Sequence, residues 1–93
     1  MKETVYEWKF CDNEIIRESF SYRGSKALYE FLTELEYAGE EIEFDPVAFR
    51  CDFTEYKDFD EIKGVYPDLV DMDDLNDRTI VLTFDDGIII QNF

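Results

Sequence analysis

Ninety-three residues leave room for one domain with a modest core. Nine Lys and Arg against 24 Asp and Glu, with no His, give a formal charge of -15, which directs the search for partners away from nucleic acid and towards basic surfaces. Hydrophobic residues make up 45% of the chain and aromatics 17%, which excludes the disorder that acidity alone would suggest.

In chain order, Thr4 to Phe10 alternate, with Tyr6, Trp8 and Phe10 set against Val5, Glu7 and Lys9, and predict a strand. Asp12-Asn13-Glu14 supplies helix-start residues ahead of Ile15 and Ile16, predicting a short helix or turn. The clearest helix runs from about Tyr22 to Ala38, because Leu28, Phe31, Leu32 and Leu35 fall at i, i+3, i+4 and i+7. Gly39 follows where a helix leaves through positive φ. Asp45-Pro46 reads as a turn, and the alternation of Phe49, Cys51 and Phe53 predicts a half-buried strand over roughly Val47 to Tyr56, in which Cys51 is expected to be a reduced, buried thiol.

Asp58-Phe59-Asp60-Glu61-Ile62 predicts a short helix capped by Asp58 and stopped by Gly64. Tyr66 to Asp77 reads as a loop. Thr79–Phe84 and Ile88–Phe93, joined by Asp85-Asp86-Gly87, form the strongest hairpin signal in the chain. Together these elements predict one acidic α+β domain over residues 1–93: an antiparallel sheet, one long helix packed on a face, and short helices in the connections.

No constellation points to catalysis. Ser19, Ser21 and Ser25 have no histidine to activate them, and no glycine-rich phosphate loop is present. Proximity among many carboxylates is unavoidable, so paired acids are expected to be surface charge rather than an acid–base pair. Asp71-Met72-Asp73-Asp74-Leu75-Asn76-Asp77 begins like a calcium loop, but the sixth position is Asn76 rather than Gly and the twelfth is Leu82 rather than Glu. Cys11 and Cys51 stand forty residues apart, whereas a structural zinc site needs about four ligands. The expectation is therefore no enzyme, no metal and no cofactor. No apolar run approaches the roughly 18 residues that span a bilayer, and Met1 to Thr4 opens no apolar leader, so the expected location is the cytoplasm, away from membranes.

The charge itself is the main signal. Between Gly39 and Asp77 fourteen acids face only Arg50, Lys57 and Lys63, a local net of -11, while residues 1–38 net -3 (five bases, eight acids) and residues 78–93 net -1 (one base, two acids). Alternate residues on an exposed strand stand about 6.6 Å apart, a spacing on the scale of a phosphate backbone, so a folded acidic face can occupy a nucleic-acid channel. The expected partner-binding residues are Glu40, Glu41, Glu43, Asp58, Asp60, Glu61, Asp68, Asp71, Asp73, Asp74 and Asp77. Tyr37, Phe44, Tyr56, Phe59 and Tyr66 are candidate aromatic anchors beside them, although most are expected to be core.

The stretches Phe20-Ser21-Tyr22, Ala27 to Leu32, Gly39 to Ala48 and Asp52 to Tyr56 resemble a family of small acidic proteins from phages and mobile elements. The resemblance covers most of the chain. It implies an inhibitor of host defence, of the anti-CRISPR or anti-restriction kind, working in an infected bacterium as an acidic mimic of nucleic acid. The implied partner is a basic nucleic-acid-binding protein, a CRISPR effector or a restriction enzyme, met by a monomer or a homodimer. The alternative is an acidic interaction or regulatory module that binds a basic partner without mimicry.

Overall fold

The computed structural model describes residues 6–93, which form six helices and a three-stranded antiparallel sheet. The chain is an α+β domain. Helix α1 (Glu7–Asp12) stands where the alternation predicts a strand; Thr4 and Val5 of that reading lie outside the described residues. A short alternating run also fits one helical turn, and packing against the long helix decides between them. In the helix Phe10 and Cys11 are neighbours that both turn inward, at 0% and 7% exposure, while Trp8 turns out to 70%.

Asn13 then caps α2 (Glu14–Ser19), its side-chain oxygen accepting from the Ile15 and Ile16 N–H groups at 3.0 and 3.3 Å. Helix α3 (Tyr22–Tyr37) starts at Ser21, whose hydroxyl accepts from the Gly24 N–H. As the periodicity predicts, Leu28 and Leu32 are buried, and Phe31 packs half-buried with its ring edge-on to Phe53 at 6.3 Å. Gly39, at φ 101°, ends the helix. The Glu40 N–H reaches back to the Leu35 carbonyl and the Gly39 N–H to that of Glu36, the paired closure that only a left-handed residue permits cheaply.

The strand expected over Val47 to Tyr56 is mostly helix. Asp45 caps α4 (Pro46–Asp52) through its bond from the Ala48 N–H, with Pro46 at the first helical position, so Asp-Pro here opens a helix rather than a turn. Only Phe53–Tyr56 forms strand β1. The three alternating apolar residues contain an i, i+4 pair, Phe49 and Phe53, and those two are buried, whereas Cys51, expected to be buried, is exposed because the helix turns it away from the face they share. Helix α5 (Phe59–Val65) starts at Asp58 as expected and runs one residue past Gly64. Where a loop is expected from Tyr66 to Asp77, helix α6 (Met72–Arg78) starts at Met72 and runs one residue past Asp77.

Strands β2 (Val81–Phe84) and β3 (Gly87–Gln91) form the predicted hairpin, and β3 lies in the centre of the sheet, in the order β1-β3-β2. The register pairs Phe84 with Gly87, so the turn is Asp85-Asp86 and Gly87 belongs to the strand. Both turn residues keep negative φ. Glycine is needed at 87 for space, since a Cβ there would stand 2.7 Å from the Tyr56 carbonyl oxygen and 3.0 Å from the Phe84 ring.

The sheet is covered on both faces. Ile89 joins Phe10, Ile16, Leu28, Leu32, Phe49 and Phe53 in one core cluster, while Ile90 joins Tyr56, Ile62, Leu69 and Leu75 in another. Successive residues of a strand point to opposite faces, so the Ile88-Ile89-Ile90 run marks a central strand packed on both sides. Helices α1 to α4 lie over one face. Helices α5 and α6 lie over the other.

Candidate functional site

The acidic residues singled out in the sequence ride on two different layers. Glu40, Glu41 and Glu43 lie on the connector between α3 and α4, where Ile42 and Phe44 turn inward against the α3-side core and the three carboxylates are exposed. Asp58, Asp60, Glu61, Asp68, Asp71, Asp73, Asp74 and Asp77 belong to the α5–α6 layer across the sheet. There Ile62, Leu69 and Leu75 are at most 1% exposed, and every one of those acids except the half-buried Asp74 is exposed. The second group is the larger, and its helices turn Ile62 and Leu75 inward against Tyr56 and Ile90 of the sheet.

Four of these acids also build the helices that carry them. Asp58 Oδ1 accepts from the Glu61 N–H at 3.0 Å, and Glu61 Oε1 accepts in return from the Lys57 N–H at 3.4 Å. The same reciprocal arrangement recurs one helix later. Asp71 Oδ1 accepts from the Asp74 N–H at 2.9 Å, and Asp74 Oδ2 accepts from the Val70 N–H at 3.1 Å. In each pair one bond satisfies an N–H that the helix start leaves without a partner, and the return bond holds the N–H of the residue before the cap.

Arg78 completes the second box, placing Nε 3.1 Å from Asp74 Oδ1 and a terminal nitrogen 3.8 Å from Asp68. The Val70 N–H is the largest influence on the Asp74 carboxyl and holds it below the usual carboxylate range; burial opposes it, and the Arg78 guanidinium adds to the lowering. Both of its oxygens are thus engaged by the protein. The segment that begins like a calcium loop is the cap of α6 and all of the helix but Arg78, and among the described residues no three acids or cysteines converge where a cation could be held.

What remains facing solvent is a set of ionised acceptors. Such a set can receive ammonium and guanidinium groups, each hydrogen bond to a charged partner being stronger than a neutral one. Of the five candidate aromatic anchors, Tyr56 is buried, Phe44 lies 5.8 Å from Phe10, and Phe59 and Tyr66 pack against the α5–α6 core. Only Tyr37 stands free of the cores, 89% exposed at the end of α3 and a few residues before Glu40.

Sequence reasoning missed a second surface. Trp8 and Tyr22, 70% and 69% exposed, border a groove of about 580 Å³ on the α1–α3 side. Reading residues 4–10 as a strand placed Trp8 on the same face as the buried Phe10, and the one usable signal was the adjacency of Phe10 and Cys11, a helical rather than an alternating pair. No helix among the described residues is long and apolar enough to cross a membrane.

No protein-family model matches the chain, and neither a curated protein nor a solved structure matches it.

Proposed function

We propose that this protein is a non-enzymatic inhibitor that acts as an acidic nucleic-acid mimic, docking on a Lys/Arg-lined channel of a nucleic-acid-binding protein and blocking its substrate. The observation that carries this reading is the outward charge of the α5–α6 layer, whose opposite side chains are locked into the core. Four acids, Asp71, Asp73, Asp74 and Asp77, fall within six helical steps, or about 9 Å at 1.5 Å each. That is a mean axial spacing of ~3 Å between charges, against one charge per ~1.7 Å along duplex DNA. Such a segment presents a basic channel with a line of charge of the same order as that of its own ligand, carried outward by Asp71, Asp73 and Asp77, while Arg78 offsets the half-buried Asp74. The class of target that fits is a CRISPR effector or a restriction enzyme of a bacterial host, with the inhibitor of phage type.

The test is binding to purified effectors and restriction enzymes, measured with and without competing duplex DNA. A mimic is displaced by DNA and loses affinity steeply as salt rises, since its contacts are between exposed charges. Binding that DNA leaves untouched would instead assign the protein to acidic modules that hold a basic partner away from its nucleic-acid site. Absence of binding to every basic nuclease tried, at low salt, would count against both.

A further inference from the structure

Residues 6–26 carry four acids (Glu7, Asp12, Glu14, Glu18) and four bases (Lys9, Arg17, Arg23, Lys26), so they add nothing to the charge of -15. The same neutral segment holds three large aromatic rings in solvent: Tyr6 at 58% exposure, Trp8 at 70% and Tyr22 at 69%. Trp8 and Tyr22 border the groove of about 580 Å³, which Phe20, Cys11 and Ser25 also line and where Arg17 and Asp12 face each other at 3.7 Å. Rings of this size held in water beside a cavity mark an interaction surface, and Trp, Tyr and Arg are the residue types that dominate interface energies.

Charge selects the occupant. A basic protein is drawn to the acidic layers and gains little at a neutral face, and a polyanion is repelled by the molecule as a whole. Two copies of this chain repel each other everywhere except across a face without net charge. From these observations we infer that the Trp8–Tyr22 groove is a two-fold homodimer interface, with Trp8 of each copy seated in the groove of the other. A two-fold contact is self-complementary, and the rim supplies what that requires, since Arg17 of one copy can meet Asp12 of its partner in both directions.

Area sets the strength. A large aromatic side chain buries roughly 150–250 Å², so the still-exposed parts of two Trp8 and two Tyr22 rings supply about 400–700 Å². Standard stable interfaces bury about 1,200–2,000 Å². The remainder has to come from Tyr6 and the outer surfaces of α1 and α2, which predicts a dimer of micromolar rather than nanomolar affinity. Its salt dependence is opposite to that of the proposed inhibitor function, because salt screens the repulsion between two anions while the apolar contact persists.

Sedimentation equilibrium of the full chain at micromolar to submillimolar concentration, in about 0.1 M and about 1 M salt, tests this together with the emission of Trp8, the chain's one tryptophan. The expected result is a monomer–dimer equilibrium whose affinity rises about tenfold or more with salt, and Trp8 emission that shifts to the blue as the chain associates. Trp8→Ala and, independently, Tyr22→Ser each weaken association by about 30-fold or more with unchanged far-UV circular dichroism. Should one variant misfold, the other carries the test, and the Trp8 emission of the parent chain reads the same contact. The inference is overturned by a chain that stays monomeric at high salt, by association that falls as salt rises, or by a dimer that both folded variants retain. It is equally overturned if an oligoarginine peptide shifts Trp8 emission while self-association does not.

Discussion

Glu55 ties the edge strand β1 to the start of α3: its Oε1 accepts from the Ser21 N–H at 2.9 Å and from the Ser21 hydroxyl at 3.1 Å, while that hydroxyl accepts from the Gly24 N–H. Gly24 leaves the room for this carboxylate, since a Cβ at 24 would overlap it. Replacing a helical glycine by alanine ordinarily gains about 1 kcal/mol. Here the methyl displaces two hydrogen bonds of about 0.5–1.5 kcal/mol each, so Gly24→Ala is expected to be neutral or destabilising, and to recover its gain only beside Glu55→Ala. Denaturant melts of the four proteins of this cycle decide it; the same change from Gly24→Ala in both backgrounds would refute the linkage. The two cysteines also differ by environment. Burial, the largest effect, pushes the Cys11 thiol above its ordinary value, Glu7 adds to this, and the Ser25 hydrogen bond and Lys26 oppose it, whereas Cys51 is exposed. Iodoacetamide is expected to alkylate Cys51 in the native protein and Cys11 only on unfolding. Below about pH 9 the Cys11 thiol is protonated in both folded and unfolded chains; above it the unfolded chain ionises first, so stability falls as pH rises. Tyr56, raised chiefly by burial, adds the same trend above about pH 10. A denaturation midpoint that held steady through this alkaline range, or native-state labelling of Cys11 at the rate of Cys51, would contradict this.

At the scale of elements, Asp58 and Asp71 cap α5 and α6, and the capping role can be separated from the partner-binding role proposed for the same acids. Asp71 begins α6, a helix of seven residues that is too short to persist alone and is held by its cap and by Leu75. Asn caps a helix about as well as Asp, while Ala costs about 0.5–2 kcal/mol. Asp71→Asn is therefore expected to keep stability and remove a charge, and Asp71→Ala to lose about 1 kcal/mol. Thermal melts of the two variants check this, and equal losses for both would mean that charge rather than capping geometry holds the helix start. Partner binding by the Asn variant then isolates the electrostatic role. Glu40 and Glu41 on the α3–α4 connector present no such conflict, as they cap no helix.

For the whole molecule, self-repulsion opposes the compact state. The ion pairs that soften it, such as Arg23 with Asp85 and Asp86 at 3.4 and 3.3 Å, join well-exposed side chains and are worth at most about 1 kcal/mol each. Raising salt from about 0.1 M to about 1 M contracts the Debye length from about 10 Å to about 3 Å, and the melting temperature is expected to rise. A fall in melting temperature would show that the ion pairs outweigh the repulsion.

Local chemistry was legible where one residue decides a structure. The stripe of Leu28, Phe31, Leu32 and Leu35, the exit at Gly39, the helix-start residues around Asn13, the cap Asp58 and the C-terminal hairpin all follow from propensity, periodicity and a few hydrogen-bond donors near in sequence. The short elements were ambiguous for the same reason that they are short: over seven residues an alternating pattern and a helical one share positions, as Phe49 and Phe53 do, and packing against α3 or β3 settles which is realised. Composition determined that the protein is an anion with an aromatic core. Only the tertiary structure decided that the acids divide between opposite layers of a sheet covered on both faces, and that Trp8 and Tyr22 are left in water, because each depends on which side of the sheet a distant segment packs against.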